Sequence, residues 1–319
     1  MSSKVLKCGV IGVGYLGRFH AQKYTQVQGA QLVGVCDASE ERSKAVADEL
    51  NTKAFFDYKE MLGQVDAVTI ASTTTSHYEI AKFFLSRGVH VHLEKPMTTT
   101  SGEGVELCEI AESKRVKFQV GHIERFNSAF LAAKSKLSNP LFMECHRLAP
   151  FKPRGFDVSV VLDLMIHDLD VVLSLVNSKP IRVEAVGTPV LTKDIDIANA
   201  RVEFESGAVA NITASRVSLK SERKFRVFQS KQYLSLDFGG GEVSLVTKSG
   251  DWVDGKPPIE KQTWNLEKVD ALLAETQSFV DCILKDTIPI VSGRDGLVAL
   301  QLAEKIELEI RKRLPKAGI

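Results

Sequence analysis

Asp163, His167 and Asp170 fall at i, i+4 and i+7 in the run Leu162-Asp163-Leu164-Met165-Ile166-His167-Asp168-Leu169-Asp170, a spacing that puts all three on one face of a helix. Their neighbours are almost all apolar. Polar groups on such a helix are costly to bury without partners, so this face is expected to line a cavity. A histidine there can accept a proton at neutral pH, its ordinary pKa being about 6.5. Lys95, in Glu94-Lys95-Pro96 after a strand-like run, is a second candidate base. Its ordinary pKa of about 10.4 must first be lowered by burial or a neighbouring cation. The Asp-x3-His pair can also hold a divalent metal, but no third ligand is obvious nearby and no metal is expected.

Gly12-Val13-Gly14-Tyr15-Leu16-Gly17 follows one apolar run and opens a helix-period stretch, and Asp37 closes the next apolar run. Gly12 lets the chain turn, Gly14 lets the backbone approach a pyrophosphate, and Gly17 lets helix and strand pack closely. With Tyr15 and Leu16 they place free N–H groups at a helix N-terminus, where phosphates bind. Asp37 would accept bonds from a ribose, and its charge would repel a 2′-phosphate, so NAD is expected over NADP. Arg42 lies too far along the following helix to be read as a phosphate ligand.

The elements that must carry these groups alternate. Apolar runs at 8–11, 31–36, 67–71, 89–93 and 117–120 suit parallel strands covered on both faces. Helix-period stretches at 15–28, 40–50, 76–87 and 102–114 suit the crossovers between them. This predicts an α/β chain that begins with a Rossmann doubly wound parallel sheet, with ligands at the carboxyl ends of the strands. Beyond Pro140 a helical stretch at 159–176 precedes alternating segments at 182–190, 198–204, 209–216, 225–229, 233–238 and 242–247. That pattern, with turns at Glu205-Ser206-Gly207 and Gly239-Gly240-Gly241, predicts a large open, mostly antiparallel sheet in a C-terminal α/β domain. Helices at 267–284 and 294–313 finish the chain. The domains divide at 1–121 and 122–319, with the C-terminal helix a candidate to pack back on the first.

A length of 319 residues, 44% of them hydrophobic, accommodates two globular domains. Forty-one Lys and Arg against 40 Asp and Glu create no field that would draw a nucleic acid. The absence of a leader pattern or an apolar run of membrane-spanning length makes the cytoplasm the expected location and a membrane an unexpected partner. Five scattered cysteines, an odd number without a C-x-x-C pair, read as buried hydrophobes in a reducing compartment.

Together, residues 12–17, Asp37, Glu94-Lys95-Pro96 and Asp163-x3-His167 resemble the Gfo/Idh/MocA oxidoreductases over nearly the whole chain. The resemblance implies nicotinamide-dependent oxidation or reduction of a sugar, cyclitol or related compound. It also implies homodimers or homotetramers paired through the C-terminal sheet. By it, Lys95 is the lysine of the family's E-K-P signature, with Glu94 beside the cofactor, while Asp163 and His167 are the acid and histidine that contact substrate. Ser72, Thr73 and His77 match the cofactor-side loop that carries T-P-x-x-x-H in many members. Here Thr74 replaces the proline, and His77 either meets the cofactor or simply starts a helix. Gly121-His122-Ile123-Glu124-Arg125-Phe126-Asn127 resembles a segment of a subset that oxidises UDP-N-acetylglucosamine at C3, with Ser128 in place of an expected proline.

The segment from His146 to Arg154 carries three permanent cations, Arg147, Lys152 and Arg154, and no acid. With Arg125 it suits the phosphates of a nucleotide sugar, and Asn127 is taken as a further substrate contact. The expected reaction is oxidation of a secondary hydroxyl, with Lys95 and His167 sharing proton transfer and Asp163 fixing orientation. An inositol or free-sugar dehydrogenase is one alternative, and an NAD-sensing regulator without catalysis is another.

Overall fold

The computed structural model describes residues 5–152, 158–267 and 269–314. Its chain forms two compact units, Met1–Ile123 with Asp270–Val298 and Glu124–Val269 with Ala299–Ile319.

In the first unit β1 (Leu6–Ile11), β2 (Ala30–Cys36), β3 (Lys53–Phe55), β4 (Ala67–Ile70), β5 (His90–Glu94) and β6 (Phe118–Gly121) make one sheet. Its order is β3-β2-β1-β4-β5-β6 and every pairing is parallel. The order reverses between β1 and β4, and a crevice opens at such a switch point beyond the strand ends. Helices α1 (Tyr15–Tyr24), α2 (Glu40–Leu50), α3 (Thr74–Leu85) and α4 (Ser101–Lys114) provide the crossovers. Ser39 caps α2, and Thr100 with Glu103 forms a capping box on α4, which satisfies amide donors that a helix start leaves open. Leu6, Cys8 and Val10 of β1 are fully buried among Ala21, Tyr24, Phe279 and Val280. Complete burial of an aliphatic side chain of this size contributes about 1.5–3 kcal/mol. The three-residue β3 is too short to leave a pattern in the sequence, and α1 ends at Tyr24 rather than at residue 28.

The second unit carries α5 (Ser128–Lys134), β7 (Phe142–Leu148), α6 (Ile166–Val176) and the strands β8 (Pro180–Thr188), β9 (Ile197–Phe204), β10 (Val209–Ser215), β11 (Glu222–Gln229), β12 (Gln232–Asp237), β13 (Glu242–Lys248) and β14 (Ile259–Asn265). Eight strands run in the order β14-β13-β12-β11-β7-β10-β9-β8, antiparallel except for β7 beside β10. One face buries Met143, Cys145, Ala200, Val202, Ile212, Phe225, Val227 and Leu234 against residues of the helices, among them Phe130, Leu169 and Ile306. Two strands here were unexpected, and β7 lies in the middle of the sheet. Its core-facing positions are Met143, Cys145 and Arg147, and an arginine on the buried face conceals the alternation by which a strand is recognised.

The remaining helices are α7 (Ala271–Leu284), which packs on α1 in the first unit, and α8 (Gly293–Arg313), whose residues from Ala299 onward belong to the second. No helix among the described residues is long and apolar enough to cross a membrane.

Candidate active site

The glycine segment leaves β1 and starts α1. Gly12 has φ +82, and a Cβ there would lie 2.5 Å from the Ser72 backbone. One on Gly17 would lie 1.8 Å from the Gly12 carbonyl. Gly14, the N-cap of α1, faces open space. Thus two glycines are imposed by close backbone packing, and the third keeps clear the approach to a helix N-terminus, as an incoming pyrophosphate requires. Tyr15 is largely exposed and Leu16 partly so.

Asp37, at the end of β2, is buried and fixed. Its Oδ2 accepts the Val13 N–H at 2.9 Å and its Oδ1 the Ser39 N–H at 2.9 Å. A carboxylate has about four lone-pair sites, and these two amides take two of them. Arg42 reaches back from α2 to place Nη1 3.2 Å from Asp37 Oδ1 and 3.4 Å from its Oδ2, so a ribose diol would take the lone pairs that this half-exposed guanidinium holds. Gly12, Gly14, Asp37, Arg42, Ser72 and Thr73 are among the residues lining a cleft of about 820 Å³, and these residues fit NAD.

Two residues expected at the cofactor have other tasks. His77 lies within α3, almost fully buried. Its Nδ1 is 3.0 Å from the Pro96 carbonyl and its Nε2 3.1 Å from the Ser72 carbonyl. Burial pushes the imidazole pKa down despite those carbonyls, and the neutral ring, with its one N–H, donates to one of them at a time. Glu94 turns inward: its Oε1 meets His20 Nε2 at 2.8 Å and its Oε2 accepts the Lys95 N–H at 3.1 Å. Lys95 itself is half-buried at the start of the loop beyond β5.

In the second unit Asp163 belongs to a single π-helical turn, Val161–Met165, that runs into α6, so the expected single helix carries a wide turn at the acid. Such turns recur at functional sites because they re-aim side chains. Asp163 and His167 are half-buried. Asp170, one turn beyond His167, is buried and accepts from Arg125 Nε at 2.8 Å.

Arg147 is the principal correction. Its side chain is 4% exposed, with Nε and Nη2 each 2.9 Å from the Asp168 carboxylate and Nη1 2.8 Å from Glu124. Burial works against its charge, but the two carboxylates outweigh that and raise its pKa. The apparent lack of acid around it holds only along the chain. Asn127 is likewise committed: its Oδ1 accepts the Ala129 N–H as the cap of α5, and its Nδ2 donates to Glu124 and to the Phe238 carbonyl. Arg154 lies outside the described residues. Sequence reading gives no role to His20, Glu124 or Asp168, and the ion pairs His20–Glu94, Arg147–Glu124 and Arg147–Asp168 span 21 to 74 positions. No group of three potential metal ligands occurs among the described residues.

Both departures from the family's motifs fall at the first position of a helix. Thr74 opens α3 and Ser128 opens α5, the place where proline is tolerated because that N–H has no partner within the helix. The helices begin there without it.

A doubly wound sheet with this glycine turn and a seated acid at the end of β2 defines a dinucleotide-dependent oxidoreductase. The chain belongs to the GFO/IDH/MocA family: residues 6–122 match the model of the oxidoreductase family with an NAD-binding Rossmann fold, and residues 132–235 match that of the GFO/IDH/MocA C-terminal domain. It is 37% identical over 312 residues to a UDP-N-acetylglucosamine 3-dehydrogenase of Acidithiobacillus ferrooxidans, spanning 98% of this chain and 99% of that protein. The crystal structure of that enzyme superimposes with a TM-score of 0.91 over 96% of this chain and 98% of the other. A scyllo-inositol 2-dehydrogenase (NAD(+)) of Bacillus subtilis is 26% identical over 97% of this chain and 95% of that protein.

Proposed function

We propose that the protein is an NAD-dependent dehydrogenase of a nucleotide sugar, oxidising the C3 hydroxyl of UDP-N-acetylglucosamine. The observation that carries this reading is the full-length likeness to the Acidithiobacillus enzyme, at 37% identity against 26% for the inositol dehydrogenase. The basic-segment argument for a diphosphate adds little, because Arg147 is occupied by carboxylates. NAD is favoured over NADP by the buried Asp37 carboxylate at the ribose end of the cleft.

When bound, NAD supplies the hydride acceptor. In the first unit Lys95, and in the second His167, is the group assigned to take up a hydroxyl proton, and Asp163 is assigned to orient the sugar. The wide turn at Asp163 supports its assignment, since a plain structural helix has no need of one.

Copies of the chain pair through the open face of the second unit's sheet. There Phe142, Phe228 and Tyr233 stack with centroids 5.6 and 4.8 Å apart on the side away from the core.

The test follows NADH absorbance with purified protein, NAD and UDP-N-acetylglucosamine, with a sugar aminotransferase drawing off the ketone. Parallel reactions contain myo-inositol and glucose, and light scattering on the same preparation reads the oligomer. Turnover only with the nucleotide sugar is expected. Turnover with a neutral polyol alone overturns the substrate while leaving the dehydrogenase.

A further inference from the structure

Beneath the Lys95 loop, the first unit buries a histidine and a carboxylate that the proposed chemistry does not use. His20 is fully buried on α1, and Glu94 is 7% exposed at the end of β5. Their contact joins Nε2 and Oε1 at 2.8 Å, while the other carboxylate oxygen takes the Lys95 amide at 3.1 Å. Burial alone would raise the Glu94 pKa, but the His20 bond and neighbouring charges outweigh it and hold the carboxyl ionised. An ionised carboxylate only accepts, so His20 Nε2 carries the hydrogen and donates it.

The neighbouring strand makes room for this carboxylate. Gly121 of β6 pairs with Glu94, and a Cβ at Gly121 would stand 2.9 Å from the carboxylate. On the far side of the loop, His77 meets the Pro96 carbonyl. The loop's backbone is thus gripped at Lys95 from α1 through Glu94 and at Pro96 from α3 through His77. His20 lies six residues beyond Gly14, about 9 Å along α1 from the N-terminus that receives the pyrophosphate.

We propose that His20 is a positioning residue for Lys95: through Glu94 it ties the lysine's backbone to the helix that receives the dinucleotide, so that lysine and cofactor are set by one rigid element. The inference rests on the reading of Lys95 as a catalytic residue. A buried ion is an expensive way to fill a core, whereas a charge-assisted bond to a loop amide fixes that loop's position.

The test compares His20→Leu, His20→Gln, Gly121→Ala and Lys95→Met. For each, kcat, KM, the NAD dissociation constant, the melting temperature and amide hydrogen exchange over residues 93–97 without dinucleotide are measured. His20→Leu is expected to lower kcat roughly 10- to 100-fold, as small misplacements do, with NAD affinity within about threefold and faster exchange at the Lys95 amide. His20→Gln, which can still donate to Glu94, restores most of the rate and the protection. Gly121→Ala displaces the carboxylate with His20 intact and reproduces the loss. Wild-type kcat and exchange in His20→Leu overturn the proposal, as does equal impairment in the leucine and glutamine variants with exchange unchanged. If His20→Leu does not fold, Gly121→Ala and His20→Gln decide by the same readouts. Turnover persisting in Lys95→Met overturns the lysine reading instead; an inactive Lys95→Met beside a fully active His20→Leu leaves that reading standing and removes only the positioning role.

Discussion

The second unit buries its polar groups as ion pairs: Arg147 lies between Asp168 and Glu124, Arg125 beside Asp170, and Arg216 against Asp196. The first unit buries histidines with carboxylates: His20 with Glu94, and His92 with its Nε2 3.8 Å from Glu275. Arginine keeps its charge at any accessible pH and forks onto carboxylates in fixed geometry, so the cationic half of the second unit's network is permanent, although burial raises the pKa of Asp168 against the pull of Arg147. A histidine changes charge within the range a cell or a buffer can reach. The first unit therefore pairs a precisely shaped cofactor turn with an acid-sensitive interior, and the second holds α6 on arginine charges that ordinary pH does not alter.

The sharpest way to break this comparison is to remove one arm of the brace. Arg147→Leu leaves Asp168 and Glu124 buried without their counter-ion and is expected to cost about 3–5 kcal/mol, read as a lower urea midpoint. Replacing Arg147 and Asp168 together by leucine should return part of that loss, because two apolar residues do not carry an unpaired charge. A variant of unchanged stability whose KM for the nucleotide sugar rises would make Arg147 a substrate ligand and dissolve the contrast.

What the sequence discloses follows the same division. The turn at residues 12–17 and Asp37 were legible because each requirement is local: a positive φ at Gly12, an excluded Cβ at Gly17, an acid one strand later. The parallel sheet was legible because its strands are buried on both faces and read as unbroken apolar runs. The role of Arg147 was hidden because its counter-ions arrive from Glu124 and Asp168, which no spacing rule links to it. The same arginine hid β7, since a charge on the core face removes the period-2 signal. Asp163 and His167 were legible as polar intrusions in an apolar helix, but not the π turn that carries the acid, because a one-residue widening leaves no mark on residue type.

Acid should find the first unit's weakness. Burial holds the His92 pKa at about 3, with the His20 ring adding to the effect, whereas in the unfolded chain it is about 6.5. Between those values the unfolded state binds a proton that the folded state refuses, so stability is intact above about pH 6.5 and falls as pH drops toward 3. The slope from this one group is at most about 1.4 kcal/mol per pH unit. His92→Phe, packing the same space beside Phe279, is expected to narrow the difference between urea midpoints at pH 7.5 and pH 5. An identical pH dependence in wild type and variant would show that His92 is not the acid-sensitive element.

The smallest effect distinguishes a brace from a ligand at Asn127. As N-cap of α5 its Oδ1 satisfies the Ala129 amide, so Asn127→Ala should cost about 1 kcal/mol in stability, while Asn127→Ser, which keeps a capping oxygen, should recover part of it and Asn127→Asp should not, because its second oxygen would face the Glu124 carboxylate and the Phe238 carbonyl. Its amide nitrogen is already shared between Glu124 and the Phe238 carbonyl, which leaves no donor directed to a sugar. KM for the nucleotide sugar should therefore move less than about threefold in all three variants, a difference below 1 kcal/mol. A tenfold rise in KM that persists in the aspartate and serine variants would identify the amide itself as the substrate contact. The second unit would then bind substrate with the same residue that starts its helix, and the ion-pair brace around Glu124 would become part of the binding surface.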